Sequence, residues 1–555
     1  MCDEAKSSIL FSARSAEILC GGVVTVVYDP LAVVRTASHN AGDGVYLGSG
    51  MHGPVWATPE RAVLVLGPPR SGKTSSIIVP SVLAANGPVI STSTKPDVMT
   101  FTAPSRGRAG ETLLYDPSGT VERPNGVAPL AWSPVSACSQ WDEALLVARL
   151  MVVSSTGGSI GARQLANGLD NHWHERSSAL LAALLHSASL EGAPMSAVLR
   201  WVDRHQSGPA QSILDQAGNE LAGDLLGGIA TTDQRELSGI WSTASGVLNA
   251  YHSNAAMAST TGPAFDPAAW CETRGTIYIC ASARHQEMVS PLVVALLSEI
   301  RTATFRRDTN RKANRNIDLA KVDRGQRGES PLLFALDEMA NIAPLPDLQK
   351  TLGDGGGQGL ITLACLQDMS QARARWGPEA DGWLSLFGAT VMLRGIEDVR
   401  TLEMLSTLAG EEEVVTRSLS SPVDTGEGPV LSALRWLGRR PAPEVPKPTV
   451  TTSTVRRRRM PVDQLSRGRE GMALVIDESS SMSYVGLTPF FSEEPWRSVV
   501  NQGLDLGRST PNPGYTAPGH PPPGLSRPPP GLSRHPEALG RSGAEPQQPG
   551  FDFGP

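Results

Sequence analysis

The chain has 555 residues, more than one hydrophobic core usually organises, so about two or three domains with irregular segments are expected. Its 48 Lys and Arg against 55 Asp and Glu leave a net charge of −7, which excludes a globally basic nucleic-acid coat protein but leaves room for local basic patches. The 6 cysteines, Cys2, Cys20, Cys138, Cys271, Cys280 and Cys365, stand far apart with no Cys-x-x-Cys pair; they fit reduced, mostly buried thiols of a cytoplasmic protein rather than a zinc site or disulfide frame.

The chain opens Met1-Cys2-Asp3-Glu4, acidic where a secretory signal is basic. Ile18 to Tyr28 is apolar but only 11 residues long between Glu17 and Asp29, about half of what a membrane span needs, and reads as a buried strand or hairpin in a strand-rich segment 1–44. Next comes the apolar run Ala62–Leu66, which ends in Gly67-Pro68-Pro69-Arg70-Ser71-Gly72-Lys73-Thr74-Ser75 and leads into a helical pattern. That is the setting of a phosphate loop: glycines let backbone N–H groups curl around phosphate oxygens, Lys73 reaches the β- and γ-phosphates, and Thr74 offers its hydroxyl to Mg²⁺. A purely structural Gly/Pro turn is the bland alternative.

Further apolar runs occur at Val89–Thr92, Leu113–Tyr115, Thr276–Cys280, Leu332–Leu336, Ile361–Leu366, Thr390–Leu393 and Ala473–Ile476, with helical stretches between many of them. Continuous apolar strands alternating with helices predict an α/β fold with a parallel-rich central sheet covered on both faces. The series breaks between about residues 140 and 265, where Ala- and Leu-rich stretches, Ser178 to Leu185 among them, predict a mainly helical insert. Arg306 to Gly328 carries 8 Arg or Lys against 3 Asp and reads as an exposed basic connection. From 491 onward Pro, Gly and Ser increasingly dominate, Pro521 to Arg527 repeats as Pro528 to Arg534, and a disordered tail that either docks a partner or simply stays solvated is expected.

The second chemical motif is the strand Leu332–Leu336 ending in Asp337-Glu338. Beside a phosphate loop, Asp337 would hold Mg²⁺ through water and Glu338 would polarise the attacking water as general base. Gln367, at the end of the next strand, could hydrogen-bond both water and γ-phosphate and so report the nucleotide state, although an ordinary strand-end amide reads the same way. His172, His174 and Glu175 do not suggest zinc, since helical zinc pairs stand four apart and these do not. Arg456 to Arg459 reads equally as a phosphate grip or a solvated edge.

Together these motifs resemble the type IV coupling proteins, the TraG/TraD family of conjugation and type IV secretion ATPases. The resemblance runs through Gly67 to Thr74, Ile78-Val79-Pro80-Ser81, Ser93-Thr94-Lys95-Pro96-Asp97, Tyr115-Asp116-Pro117, Asn171-His172-Trp173, Leu336 to Asn341, Asp354 to Gly359, Gln367 and Ala374-Arg375-Trp376-Gly377, across roughly residues 45 to 490. It implies a RecA-like P-loop NTPase domain, 45–139 and 266–490, interrupted by a small all-α domain at 140–265 and succeeded by the tail 491–555. It further implies ATP and Mg²⁺ as cofactors, a hexameric homo-oligomer, and transfer of a relaxase–DNA complex or protein effectors through a membrane secretion channel.

Two departures accompany the resemblance. Relatives usually begin with transmembrane helices, whereas no such stretch is legible here, so either a separate membrane-anchoring partner or a lost start of the reading frame is expected. Ring ATPases of this kind also insert an arginine into the neighbouring subunit's site, and Asp354 to Gly359, where many relatives carry a basic residue, has none. Arg373, Arg375, Arg394 and Arg400 are the remaining candidates. An FtsK-like duplex DNA translocase and a nucleotide-binding recruitment scaffold with little turnover stay open as alternatives.

Overall fold

The apolar runs fold as strands in a computed structural model that describes residues 17–20, 23–26, 29–155, 169–317, 330–420, 433, 436–438, 449–479 and 481–509. In chain order the first strands are β1 (Glu17–Cys20), β2 (Val23–Val26), β3 (Tyr46–Gly50), β4 (Gly53–Trp56), β5 (Val63–Leu66), β6 (Val89–Ser93), β7 (Thr112–Tyr115) and β8 (Ala128–Pro129). After a helical stretch come β9 (Thr276–Cys280), β10 (Leu332–Leu336), β11 (Leu360–Leu366), β12 (Ala389–Met392), β13 (Glu411–Ser420), β14 (Thr449–Arg458), β15 (Met472–Asp477) and β16 (Met482–Gly486).

A 12-stranded sheet runs in the order β4-β3-β16-β15-β12-β5-β11-β10-β6-β9-β7-β8. From β12 to β8 every pairing is parallel, whereas β15, β16, β3 and β4 extend it antiparallel. The parallel strands β5, β6, β7, β9, β10, β11 and β12 are buried at every position because both faces are covered. Leu64, Leu66, Phe334 and Leu336 join one core, and their alternates Val63, Val65, Leu333 and Ala335 join the other. The first core is shared with the helices Trp141–Ser155, Leu169–Glu191 and Gln286–Ile317; in the second of these Leu180 to Leu185 are fully buried. The other core lies under the helices Pro30–Asn40, Val79–Ala84, Asp97–Arg106 and Trp496–Ser509.

Several expectations need correction. The segment Arg306 to Gly328 is not a connection throughout: its first part completes the helix Gln286–Ile317, where Arg306 holds Glu143 and Lys312 holds Asp308 at 2.7 Å one turn away. Residues 318–329 lie outside the described residues. The expected tail starts too early, because Trp496–Ser509 is a helix with Trp496, Val499 and Val500 buried at i, i+3 and i+4. The rest of the tail, including the Pro-rich repeat, lies outside the described residues. A helix long and apolar enough to cross a membrane does occur, at Gln286–Ala313, but 72% of its apolar window is buried inside the fold as a core element. The 18–28 run contains the antiparallel hairpin β1–β2.

Arg456 to Arg458 lie on β14, in a two-stranded ribbon whose register sets Glu411, Glu412 and Glu413 opposite Arg458, Arg457 and Arg456. The four cysteines whose side chains are described, Cys138, Cys271, Cys280 and Cys365, are buried and free, and burial pushes each thiol up.

Candidate functional site at the carboxyl edge of the parallel strands

Parallel strands present all their carboxyl ends at one edge of a sheet, and loops there converge. The register sets Leu66 beside Leu366 and Leu336 beside Thr92, which brings the residues beyond β5, β11, β10 and β6 to one line. Gly67, Gln367, Asp337 and the Ser93-Thr94-Lys95 turn therefore share an edge although hundreds of residues separate them.

The loop after β5 is shaped by backbone conformations that glycine tolerates. Gly72 has φ 97°, and a Cβ at Gly67 would sit 2.7 Å from Ser71 Oγ and 2.9 Å from Leu393 Cβ. Arg70 adopts φ 63° without that freedom, one of the strained positions that gather at functional loops. Pro68 and Pro69 stiffen the rise, the Gly67 N–H donates to Leu366 O at 3.2 Å, and the Ser71 N–H donates to Pro68 O at 3.3 Å. Lys73 Nζ turns back over the loop and donates to Gly67 O at 2.5 Å and Pro68 O at 3.0 Å. The next helix starts as a wide π-type turn over Thr74–Ile78. Pro80 has no N–H to give Ser76 O, and the Val79 N–H reaches Thr74 O, five residues back, instead. Ser75 Oγ donates to Gly72 O at 3.4 Å.

The decisive contact is Thr74 Oγ1, which donates to Asp337 Oδ2 at 2.8 Å across 263 positions of sequence. Asp337 is 5% exposed, and its backbone carbonyl accepts from Thr92 Oγ1 at 3.0 Å. Burial holds its carboxyl above the usual range; the Thr74 hydrogen bond pulls the other way, Glu338 pushes up, and Lys73 pulls down. Glu338 has φ 56° and ψ 41°, left-handed at the point where β10 breaks into the helix Met339–Ile342, and its carboxylate accepts from Asn341 Nδ2 at 2.9 Å. Such a conformation costs a non-glycine residue about 1–2 kcal/mol, and it turns Glu338 away from the strand axis at the site's edge. Gln367 stands beside the loop at the end of β11, its N–H donating to Gln371 Oε1 at 3.0 Å. Two oxygen donors joined by a hydrogen bond, a glycine-shaped loop and a lysine above it form a donor set that suits a hard cation with a polyphosphate.

The arginine candidates sort differently. Arg373 bonds Asp398 at 2.5 Å, Arg375 donates to Ser154 O at 2.8 Å, and Arg400 is held by Asp381. Arg394 comes after β12 next to the phosphate loop, is 57% exposed, and meets exposed Glu470 only at 3.8 Å. Asp354 to Gly359 leads into β11 at the opposite sheet edge, where a Cβ on Gly356 would lie 1.7 Å from Glu60 O. His172 pairs with Glu236 at 2.8 Å.

One segment in contact with the phosphate-loop helix carried no motif in the sequence. The segment after β16 folds back so that the Phe490 N–H donates to Ser75 O at 3.0 Å, and the Phe490 ring packs 4.8 Å from Phe101. Its signal was the Trp496, Val499, Val500 and Leu504 spacing, which is helical and amphipathic.

A family model described as Type IV secretory system Conjugative DNA transfer matches residues 24–428. Protein VirD4 of Rhizobium rhizogenes is 23% identical over 369 residues, 64% of this chain and 50% of that protein, so the chain spans about half the length of this curated relative. The unbound monoclinic form of the bacterial conjugative coupling protein TrwBdeltaN70 aligns at a TM-score of 0.56 and 17% identity, over 86% of this chain and 93% of that one. The plasmid coupling protein TrwB in complex with ADP and Mg²⁺ aligns at 0.54 and 16% identity, over 86% and 93%. These likenesses establish the fold as RecA-type.

Proposed function

Because the chain belongs to the type IV secretory system conjugative DNA transfer family, we propose that it is a coupling ATPase that recruits a relaxase–DNA complex or protein substrates to a secretion channel and powers their transfer. The observation that carries this reading is the 2.8 Å hydrogen bond between Thr74 and Asp337, which joins the phosphate loop to the strand-end acid. The cofactors are ATP and Mg²⁺. The glycine-shaped loop, the hydroxyl and carboxylate oxygens and the lysine fit them.

In this reading the loop from Gly67 to Ser75 holds the phosphates with its N–H groups, and Lys73 exchanges its two carbonyl acceptors for phosphate oxygens. Thr74 and Asp337 hold the cation. Mg²⁺, when bound, neutralises charge on the β- and γ-phosphates. Glu338, held by Asn341, accepts a proton from the attacking water as general base, and Gln367 links the state of the phosphates to movement of β11 and its loop. The active form is a homo-oligomeric ring, with six subunits as the working number, acting on DNA at the inner face of the bacterial cell membrane beside the channel or a membrane-anchoring partner.

The test is Lys73→Ala, assayed for ATP turnover with and without DNA. We expect turnover and substrate transfer to vanish while the fold is kept, because among the described residues the Lys73 ammonium is hydrogen-bonded to the loop carbonyls of Gly67 and Pro68. Unchanged turnover in the purified variant refutes the assignment. Negligible turnover of the unaltered protein in both conditions would mark a recruitment scaffold instead, and tracking of duplex DNA without a relaxase would mark a translocase of the FtsK type.

A further inference from the structure

The opposite, amino-terminal edge of the parallel strands carries a cavity of about 570 Å³. It lies between the helix Pro30–Asn40, the turn at Asn86 to Pro88 entering β6, the turn at Cys271 to Arg274 entering β9, and Ser330 ahead of β10. Among the described residues its lining is basic: Arg35, Arg274 and Arg307 face it, His39 is paired with Asp43 at 3.4 Å, and the lining acid Glu272 is already held by Arg311.

The floor is built, not incidental. Arg106 is 0% exposed and ties the turns entering β6 and β9 together, donating to Thr276 Oγ1 at 2.8 Å, Ala85 O at 2.5 Å, Gly87 O at 2.9 Å and Arg274 O at 3.0 Å. All four acceptors are neutral, so none of them cancels its charge. Gly87 is required where the loops meet, since a Cβ there would stand 2.2 Å from Pro331 O. Above this floor Arg35 points Nε and Nη2, both shielded from solvent and, among the described residues, without a hydrogen-bond partner. Asp29, the acid that acts on Arg35, is engaged by Arg108 at 2.9 Å. Burial first, then the nearby Arg274 and Arg108, lower Arg35 to about 10, with Asp29 opposing.

Buried donors without acceptors, beside clustered positive charge and an open volume in the range of small-molecule sites, are unfavourable until an anion completes them. We propose that this cavity binds a phosphate-bearing small molecule or headgroup, with Arg35 and Arg274 as its principal charge-assisted donors and Arg106 as the residue that positions the loops around it. Planar guanidinium groups suit phosphate oxygens in pairs, which is the geometry two converging arginines offer. The site is separate from the phosphate loop and does not depend on the nucleotide reading.

The probes are inorganic diphosphate, monitored by calorimetry and thermal shift, and phosphatidylcholine vesicles with and without phosphatidic acid, monitored by co-sedimentation. The full chain is compared with Lys73→Ala, which disables the other phosphate site, and with Arg274→Glu and Arg35→Met made in that background. We expect diphosphate or phosphatidic acid to bind the Lys73→Ala protein and to bind about 10-fold or more weakly after either arginine change, in line with the loss of one charge-assisted contact. Diphosphate binding alone identifies a soluble ligand, and vesicle binding alone a lipid headgroup. Arg35→Met also has a fold-independent signature: without ligand its melting temperature holds or rises, because an uncompensated charge is gone, while the ligand-induced shift disappears. The proposal is overturned if neither probe binds once Lys73 is replaced, or if both arginine variants bind as well as their parent.

Discussion

Thr74→Val keeps the shape of the side chain and removes the hydroxyl that donates to Asp337 at 2.8 Å. A hydrogen bond to a charged acceptor contributes about 1.5–3 kcal/mol, and Asp337, 5% exposed, has little water to replace it. At about 1.36 kcal/mol per decade, that loss corresponds to a rise of roughly 10- to 150-fold in the Mg²⁺ concentration needed for half-maximal turnover. The pH profile moves as well. Asp337 must be ionised to hold a cation, and burial already raises its pKa, so activity is lost as pH falls through that raised value. The Thr74 bond is the main influence lowering it; without that bond the pKa climbs further and the acid limb shifts to higher pH. Steady-state ATP hydrolysis against free Mg²⁺ and pH measures both. A variant with the parent's Mg²⁺ requirement and acid limb would refute the coupling of these two residues.

Two further substitutions probe the same edge. Glu338→Asn places a residue that tolerates left-handed backbone at φ 56° and shortens the side chain, so melting temperature should hold while turnover falls by about 100-fold or more; a large drop in stability would sink the strain argument. Trp496→Ala empties a site 3% exposed whose ring lies 4.9 Å from Tyr46, and should cost about 3–5 kcal/mol, read by denaturant unfolding. It should also weaken nucleotide binding, since the segment it anchors carries the Phe490 bond to Ser75; intact affinity would show that the brace is dispensable.

Legibility tracked local chemistry. β5 and β10 announced themselves as unbroken apolar runs because both faces of a parallel strand are covered, and the phosphate loop and Asp337-Glu338 stood at their ends. Strand ends could not reveal which of them lie side by side: the Thr74 to Asp337 contact depends on β11 lying between β5 and β10. β3, β4 and β16 were missed because they are short and carry glycines where an apolar run would be expected. The helix Trp496–Ser509 was hidden by the Pro- and Gly-rich composition of the residues beyond it, and the helical end at Arg306 by a charge pattern that pairs across elements. Arg35 and Arg106 gave no sequence signal, since a buried arginine reads like any other until its surroundings are known.

The bond from the Phe490 N–H to Ser75 O also orders events in time. The phosphate loop leaves the ribosome early, yet its helix meets this partner only after synthesis has run to residue 490. At about 5–20 residues per second that is a delay of roughly 20–80 s. The strand pairing that extends the sheet keeps the same schedule, because β16 reaches back to β3, with Gly486 opposite Ser49. A chain interrupted before this point possesses every motif of the site and lacks the clasp that holds its first helix, so the phosphate grip is completed only once synthesis has passed residue 490.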